Sequence, residues 1–219
     1  MKVRILGIVV PLIAISAVGC GLGTGTARPT LQCRFPAGAV NIGINLTNDT
    51  PGAPQLDEAD RVNSIIAAAA SLTGTSNAPT PVPNANIGQV QGVIDIRYNA
   101  DTFAINGDRS YGLTNNPRNQ DSTSDCPAGG TYATVFGIPK VTIWLDRFRQ
   151  GSGNTWQHVA AHEIMHAFGL DHTISKVGGL GANWFLVAPG GSPGWAGDCP
   201  QCVVKPALDE AVALNSMYN

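Results

Sequence analysis

The chain of 219 residues carries 13 Lys and Arg against 15 Asp and Glu, and only 13% of it is charged. This balance provides no basic stripe for nucleic acid, and the length suits one domain with a full core. All 4 histidines fall between Trp156 and His172, so any chemistry that needs imidazole is confined to that stretch.

Lys2 and Arg4 open the chain, and an apolar run from Ile5 to Val18 follows. The run is too short, and too soon followed by glycine and threonine, for a membrane span, so residues 1–19 read as a signal peptide. Its end, Ala17-Val18-Gly19-Cys20, resembles a bacterial lipoprotein box, which implies lipidation of Cys20 and a membrane anchor; ordinary secretion is the alternative. Export removes Lys2 and Arg4 and no acid, so 13 − 2 = 11 basic residues face 15 acidic ones, a formal charge of −4. Residues 20–38 are expected to be the lipidated cysteine and a flexible tether, its stretch Gly21–Thr30 being small and glycine-rich. The domain is expected over 39–219, with an upper part, 39–169, and a lower part, 170–219.

Besides Cys20 the chain has Cys33, Cys126, Cys199 and Cys202. An even number in an oxidising compartment predicts two disulfides, for which three connectivities exist. The favoured pairing is Cys33 with Cys126 and Cys199 with Cys202. Cys-Pro-Gln-Cys also suits a redox motif or half of a zinc ribbon, but it lacks a thioredoxin-like strand and helix and a second close pair, which leaves a loop staple.

In chain order, Ala39–Leu46 alternates as a strand does, and Asn48–Gly52 is a turn cluster. Leu56–Leu72 reads as a helix with Leu56, Ala59, Val62, Ile65, Ile66, Ala69 and Leu72 inward and Asp57, Glu58 and Asp60 near its start. Thr75–Pro83 is a proline-rich loop and Gly92–Tyr98 a strand. Asn99–Ser124 is a polar excursion whose Asp101, Asn106, Asp108, Asp121 and Asp125 are candidate calcium ligands; without EF-hand spacing they read better as solvated turns. Thr131–Phe136 is a short strand, Lys140–Leu145 a buried one, and Ala207–Leu214 a short helix. Trp184, Phe185 and Trp195 punctuate the glycine-rich stretch Gly178–Gly197, as pocket lining or as a small core.

The densest signal is His162-Glu163-Ile164-Met165-His166-Ala167-Phe168-Gly169-Leu170-Asp171-His172, the pattern HExxHxxGxxH. On a helix His162 and His166 lie one turn apart and project from one face, spaced to hold a small cation. Gly169 permits the chain to turn back in the left-handed conformation and bring up His172 as a third ligand. Three neutral imidazoles with an open fourth position suit catalytic zinc, and Glu163 stands beside them as a base. His158 lies one turn before His162. A helix does not easily bring three successive turns to one ion, so His158 reads as a supporting residue.

This motif resembles that of the metzincin zinc metalloendopeptidases, and its wording His166-Ala167-Phe168-Gly169-Leu170-Asp171-His172 is similar to the matrix-metalloproteinase branch. Asn215-Ser216-Met217-Tyr218 resembles the family's methionine turn beneath the zinc, with Met217 as its methionine. The resemblance implies an α+β catalytic domain: a twisted, mostly parallel sheet with an antiparallel edge strand, two main helices and a small loop-rich lower part. The order strand, helix, three strands, zinc helix fits that layout. It further implies a monomeric, exported zinc endopeptidase acting on protein or peptide. Water activated by zinc on His162, His166 and His172 would attack the scissile carbonyl, with Glu163 as general base and then acid. An edge strand would hold extended substrate, and Thr131–Phe136, through Thr131, Ala133 and Val135, is the candidate. Two departures stand out. The chain stops two residues after Met217, without the C-terminal helix usual beyond that turn. Tyr218 directly follows the methionine and is not assigned as a ligand. A latency thiolate at Cys33 is not supported by its neighbours, Leu-Gln-Cys-Arg-Phe. Other zinc hydrolases, such as an amidase on peptidoglycan or small peptides, and a non-catalytic zinc-binding lipoprotein are the alternative readings.

Overall fold

The computed structural model describes residues 33–50, 58–107, 110–115, 131–149, 151, 153–170, 172 and 202–219. Among the described residues six strands and four helices follow in order: β1 (Asn41–Asn48), α1 (Glu58–Leu72), β2 (Thr80–Pro83), β3 (Val93–Ala100), α2 (Thr102–Asn106), β4 (Gly112–Thr114), β5 (Thr134–Val135), β6 (Ile138–Asp146), α3 (Gly153–Ala167) and α4 (Leu208–Tyr218), with a 3-10 turn at Ile87–Gln89. Across the sheet the order is β2-β1-β3-β6-β4. The pairings β1–β2, β1–β3 and β3–β6 are parallel, and β4 and β5 run antiparallel to β6. The chain thus forms a mixed fold of helices on a mostly parallel sheet with an antiparallel edge.

Alternation writes this sheet. In β6, Val141, Ile143 and Leu145 are buried while Lys140, Thr142 and Trp144 between them are half-buried. Register extends the inward rows across strands, Ile44 beside Ile94 beside Val141, and Leu46 beside Ile96 beside Ile143. These residues share one core with Ile65, Ala68 and Ala69 of α1 and Val159, Ala160 and Ile164 of α3. The opposite face is polar. At its centre Asp95 accepts from the Thr47 hydroxyl at 3.0 Å and pairs with Lys140 Nζ at 3.0 Å.

Several expectations are corrected. The first strand starts at Asn41, two residues later than Ala39, and ends at Asn48. Thr80–Pro83, taken as loop, is a strand. It tolerates Pro81 and Pro83 because β2 is at the sheet edge, and N–H groups reach β1 from positions that alternate with the prolines, among them Thr80 and Asn84, to the carbonyls of Val40 and Ile44. The excursion after Asn99 contains α2 and β4. Asp101, a calcium candidate, instead caps α2, its carboxylate accepting from the Ala104 N–H at 3.2 Å. The inward stripe of α1 is rotated: Arg61, Ser64, Ile65, Ala68, Ala69 and Leu72 are buried, whereas Ala59 and Ile66 face solvent. Arg61 goes inside because its guanidinium lies 4.1 Å over the Trp156 ring and donates to the carbonyls of Asp146 and Arg149 at 2.7 and 2.6 Å.

The stretch Thr131–Phe136 does not form the expected strand. Only Thr134 and Val135 pair with β6, because Phe136 and Gly137, both at positive φ (54° and 81°), close a tight hairpin at once. Thr131 makes an isolated bridge to Arg34, and the Ala133 carbonyl accepts from Lys140 N–H. Nor is Asn215–Tyr218 a turn. α4, expected over Ala207–Leu214, runs on through Met217 to Tyr218, with the Asn219 N–H closing on the Asn215 carbonyl. Asp209 and Glu210 in its first turn favour it, and the Glu210 carboxylate reaches back to the Ala207 N–H at 2.7 Å. Cys33 and Phe35, assigned to the tether, are core residues. Among the described residues no helix is long and apolar enough to cross a membrane. Residues 1–19, Cys20, Cys126, Asp108, Asp121, Asp125, Trp184, Phe185, Trp195 and Cys199, for which expectations were stated, lie outside the described residues.

Candidate metal centre

α3 carries the motif, and its C-terminal end decides how the three histidines meet. The helix stops at Ala167, after which Gly169 takes φ 100°. Gly169 N–H donates to the His166 carbonyl at 3.0 Å and Leu170 N–H to that of Met165 at 3.1 Å, the paired bonds that end a helix on a left-handed glycine. A Cβ at position 169 would stand 3.2 Å from both the Arg34 Cβ and the Cys33 carbonyl oxygen, so packing as well as backbone conformation requires glycine. The last free carbonyls of the helix find side-chain donors. The Tyr132 hydroxyl donates to Ala167 at 2.7 Å and the Tyr218 hydroxyl to Phe168 at 2.8 Å. Burial pushes both phenols up, the main cause in each case, so they stay neutral donors. Tyr218 is thereby committed to the helix end. Met217 packs beside the same turn, its Sδ 3.6 Å from where a Gly169 Cβ would sit, and its carbonyl accepts from Arg34 at 2.6 Å.

The reversal at Gly169 brings His172 back to the helix. The ligand atoms of His162, His166 and His172 all lie within 4.8 Å of one another, and this is the one such cluster among the described residues. His162 Nε2 is 2.9 Å from His166 Nε2 and 3.3 Å from His172 Nε2. Three nitrogens around a tetrahedral ion at 2.0–2.1 Å would stand about 3.3 Å apart. The Leu170 carbonyl accepts from His166 Nδ1 at 2.6 Å, which places the ring proton on Nδ1 and leaves Nε2 as a lone-pair donor. The glycine turn therefore does two things, delivering His172 and orienting His166. Converging lone pairs repel without a cation between them, and this donor set fits zinc.

Glu163 is buried beside the cluster, its Oε1 4.0 Å from His162 Nε2. It faces β4: the Thr114 hydroxyl lies 2.5 Å from Glu163 Oε2 and 3.0 Å from the Glu163 carbonyl. A Cβ on Gly112 would stand 2.7 Å from Glu163 Cγ, so the carboxylate occupies room that only glycine leaves. Gly112 and Thr114 were missed in the sequence, where they lay in an irregular polar stretch. The strand against the glutamate is thus β4, not the stretch holding Thr131, Ala133 and Val135.

His158 stays out of the cluster. It is wholly buried, and its Nδ1 donates to the Val203 carbonyl. Burial lowers its pKa to about 4, partly opposed by that hydrogen bond. The neighbouring Cys202 carbonyl accepts from the Asn154 side chain at 3.1 Å, so the segment at 202–203 is tied along the first turns of α3. Cys202 and Cys33 are both disulfide-bonded, which leaves Cys33 no thiolate to offer a metal. No protein-family model matches the chain, and no match to it was found among curated proteins.

Proposed function

We propose that the protein is an exported, metzincin-like zinc endopeptidase whose ion is held by His162, His166 and His172. The observation that carries this reading is the convergence of three imidazole nitrogens with the Glu163 carboxylate at 4.0 Å from one of them. A structural zinc site fills its four positions with protein ligands and has no use for a buried base, whereas a catalytic one uses three and keeps a position open. The disulfide-bonded Cys33 and Cys202 support an oxidising compartment and hence export, by way of residues 1–19 and with Cys20 as the lipid anchor.

When bound, zinc supplies Lewis acidity, lowering the pKa of a water towards about 7 and polarising the carbonyl to be cleaved. Glu163 accepts the proton from the attacking water and passes it to the leaving amine. Its neighbours Gly112 and Thr114 come from β4, at the antiparallel edge of the sheet, beside which an extended peptide would lie by strand addition. An endopeptidase needs to bind substrate along an extended stretch, since the peptide continues on both sides of the cut.

Incubating the purified protein with a mixed peptide library, with and without a zinc chelator, tests this directly. Internal cuts are expected, lost on chelation and restored by zinc. Glu163→Gln should keep the metal and lose about 10²- to 10⁴-fold in rate. Absence of cuts by folded, zinc-loaded protein would reject the peptidase reading, and undiminished cleavage by Glu163→Gln would remove Glu163 as the base.

A further inference from the structure

The proposed chemistry needs a carboxylate at one place, but a glutamate side chain has three rotatable bonds, and fixing it costs up to about 2 kcal/mol in rotamer entropy. Two contacts that hold it come from β4, some fifty positions earlier in the chain. Gly112 and Thr114 are two residues apart on one strand and so face the same side. Opposite them in register on β6 stand Leu145 and Ile143, both buried, so the strand is held by the core. Gly112 leaves the space for the glutamate stem: a Cβ there would meet Cγ at 2.7 Å, Oε1 at 2.9 Å and Cδ at 3.0 Å. Thr114 supplies the donor, 2.5 Å from Oε2. The two carboxylate oxygens are thereby distinguished, Oε2 anchored to the strand and Oε1 turned to the histidines, 4.0 Å from His162 Nε2.

We propose that Gly112 and Thr114 form a socket that sets Glu163 for proton transfer, with Thr114 a positioning residue. This rests on the endopeptidase reading. Misplacement of a reacting group by 1 Å can cost about 10²-fold in rate, so a lost anchor that leaves the carboxylate in several rotamers lowers kcat more than it weakens substrate binding. It also joins two functions in one strand, because the β4 that would receive substrate along its edge also holds the base.

The test compares Thr114→Val, which keeps shape and removes the hydroxyl, with Thr114→Ser, which keeps the hydroxyl. In zinc-loaded protein Thr114→Val is expected to lower kcat about tenfold with KM changed less than about twofold, and Thr114→Ser to recover most of the loss. A second readout does not depend on turnover. Glu58, Glu163 and Glu210 are the only glutamates of the chain, so protein labelled with 13C at the glutamate carboxyl carbon gives three resonances, and Glu163→Gln assigns one. Thr114→Val should move or broaden that resonance, and so should Gly112→Ala, while Thr114→Ser leaves it near its original place. An unchanged kcat and an unmoved resonance in Thr114→Val would overturn the socket. Were the parent protein to cut no peptide, the peptidase reading would fall, and the carboxyl resonance alone would decide whether Thr114 positions Glu163.

Discussion

α1 and α3 are both 15 residues long and pack against each other, yet they are buried differently. α1 hides one stripe and shows the rest to solvent, as a helix does when its task is to cover a sheet. Every residue of α3 from His158 to Ala167 is buried, although the run includes three histidines and a glutamate. Burying polar groups costs stability unless each finds a partner. On α3 the partners come from across the chain: the Val203 carbonyl for His158, Thr114 for Glu163, the Leu170 carbonyl for His166, Tyr132 and Tyr218 for the terminal carbonyls. α1 does the same at Arg61 and Ser64, whose partners, the carbonyls of Asp146, Arg149 and Gly153, lie before and at the start of α3. The difference shows what a helix gives up in order to carry a site: its surroundings must be built around it.

Equal truncations on the two helices should expose this contrast most strongly. Ile164→Ala on α3, fully buried, should cost about 2–5 kcal/mol by denaturant unfolding. A loss under about 1 kcal/mol would mean that α3 is not the packed centre described here.

The polar side of the contrast can be sharpened by pH. His158 has a folded pKa of about 4 against an ordinary value of 6.5, so between these values the unfolded chain binds the extra proton. Its burial therefore sets no penalty above about pH 6.5, and stability falls as pH drops from there towards 4, by on the order of 3 kcal/mol in all. Replacing His158 with Gln should flatten that part of the stability profile relative to the parent protein. Parallel profiles for the two would show that His158 is not the group responsible.

A smaller effect is expected at the turn that ends α3. Gly169→Ala places a side chain at φ 100° and against Arg34 and Cys33, which should cost about 2 kcal/mol. Because the same turn aims the Leu170 carbonyl at His166, zinc affinity should fall by about tenfold as well. Stability lost without any change in affinity, followed by zinc titration, would separate the turn from the orientation of His166. The smallest change belongs to the outer face of α1, where Ile66→Ala, at 38% exposure, should shift stability by no more than about 0.5–1 kcal/mol in the same unfolding assay that reads Ile164→Ala.

The cluster of three histidines was legible in the sequence because its geometry is local. His162 and His166 are set by one helical turn, and His172 by a left-handed glycine three residues after the second, so eleven residues contain the whole arrangement. The alternation of β6 and the stripe spacing of α1 were legible for the same reason, though the phase of α1 was not, since only the tertiary packing of Arg61 on Trp156 turns a charged residue inward. Met217 illustrates the opposite error: four residues that resemble a turn continue a helix, because nothing after Ala207 breaks it and Glu210 caps its start. The supports of the site were not readable at all. Gly112 and Thr114 meet Glu163 across 49 positions or more, Val203 meets His158 across 45, and Tyr218 meets Phe168 across 50, through packing and hydrogen bonds that leave no periodicity in the chain. The sequence by itself determined which residues can gather around an ion, as that follows from backbone geometry over three turns. The tertiary structure alone decided what holds them and their glutamate in place, since those contacts exist only once the sheet edge, residues 33–35 and the C-terminal helix have closed on α3.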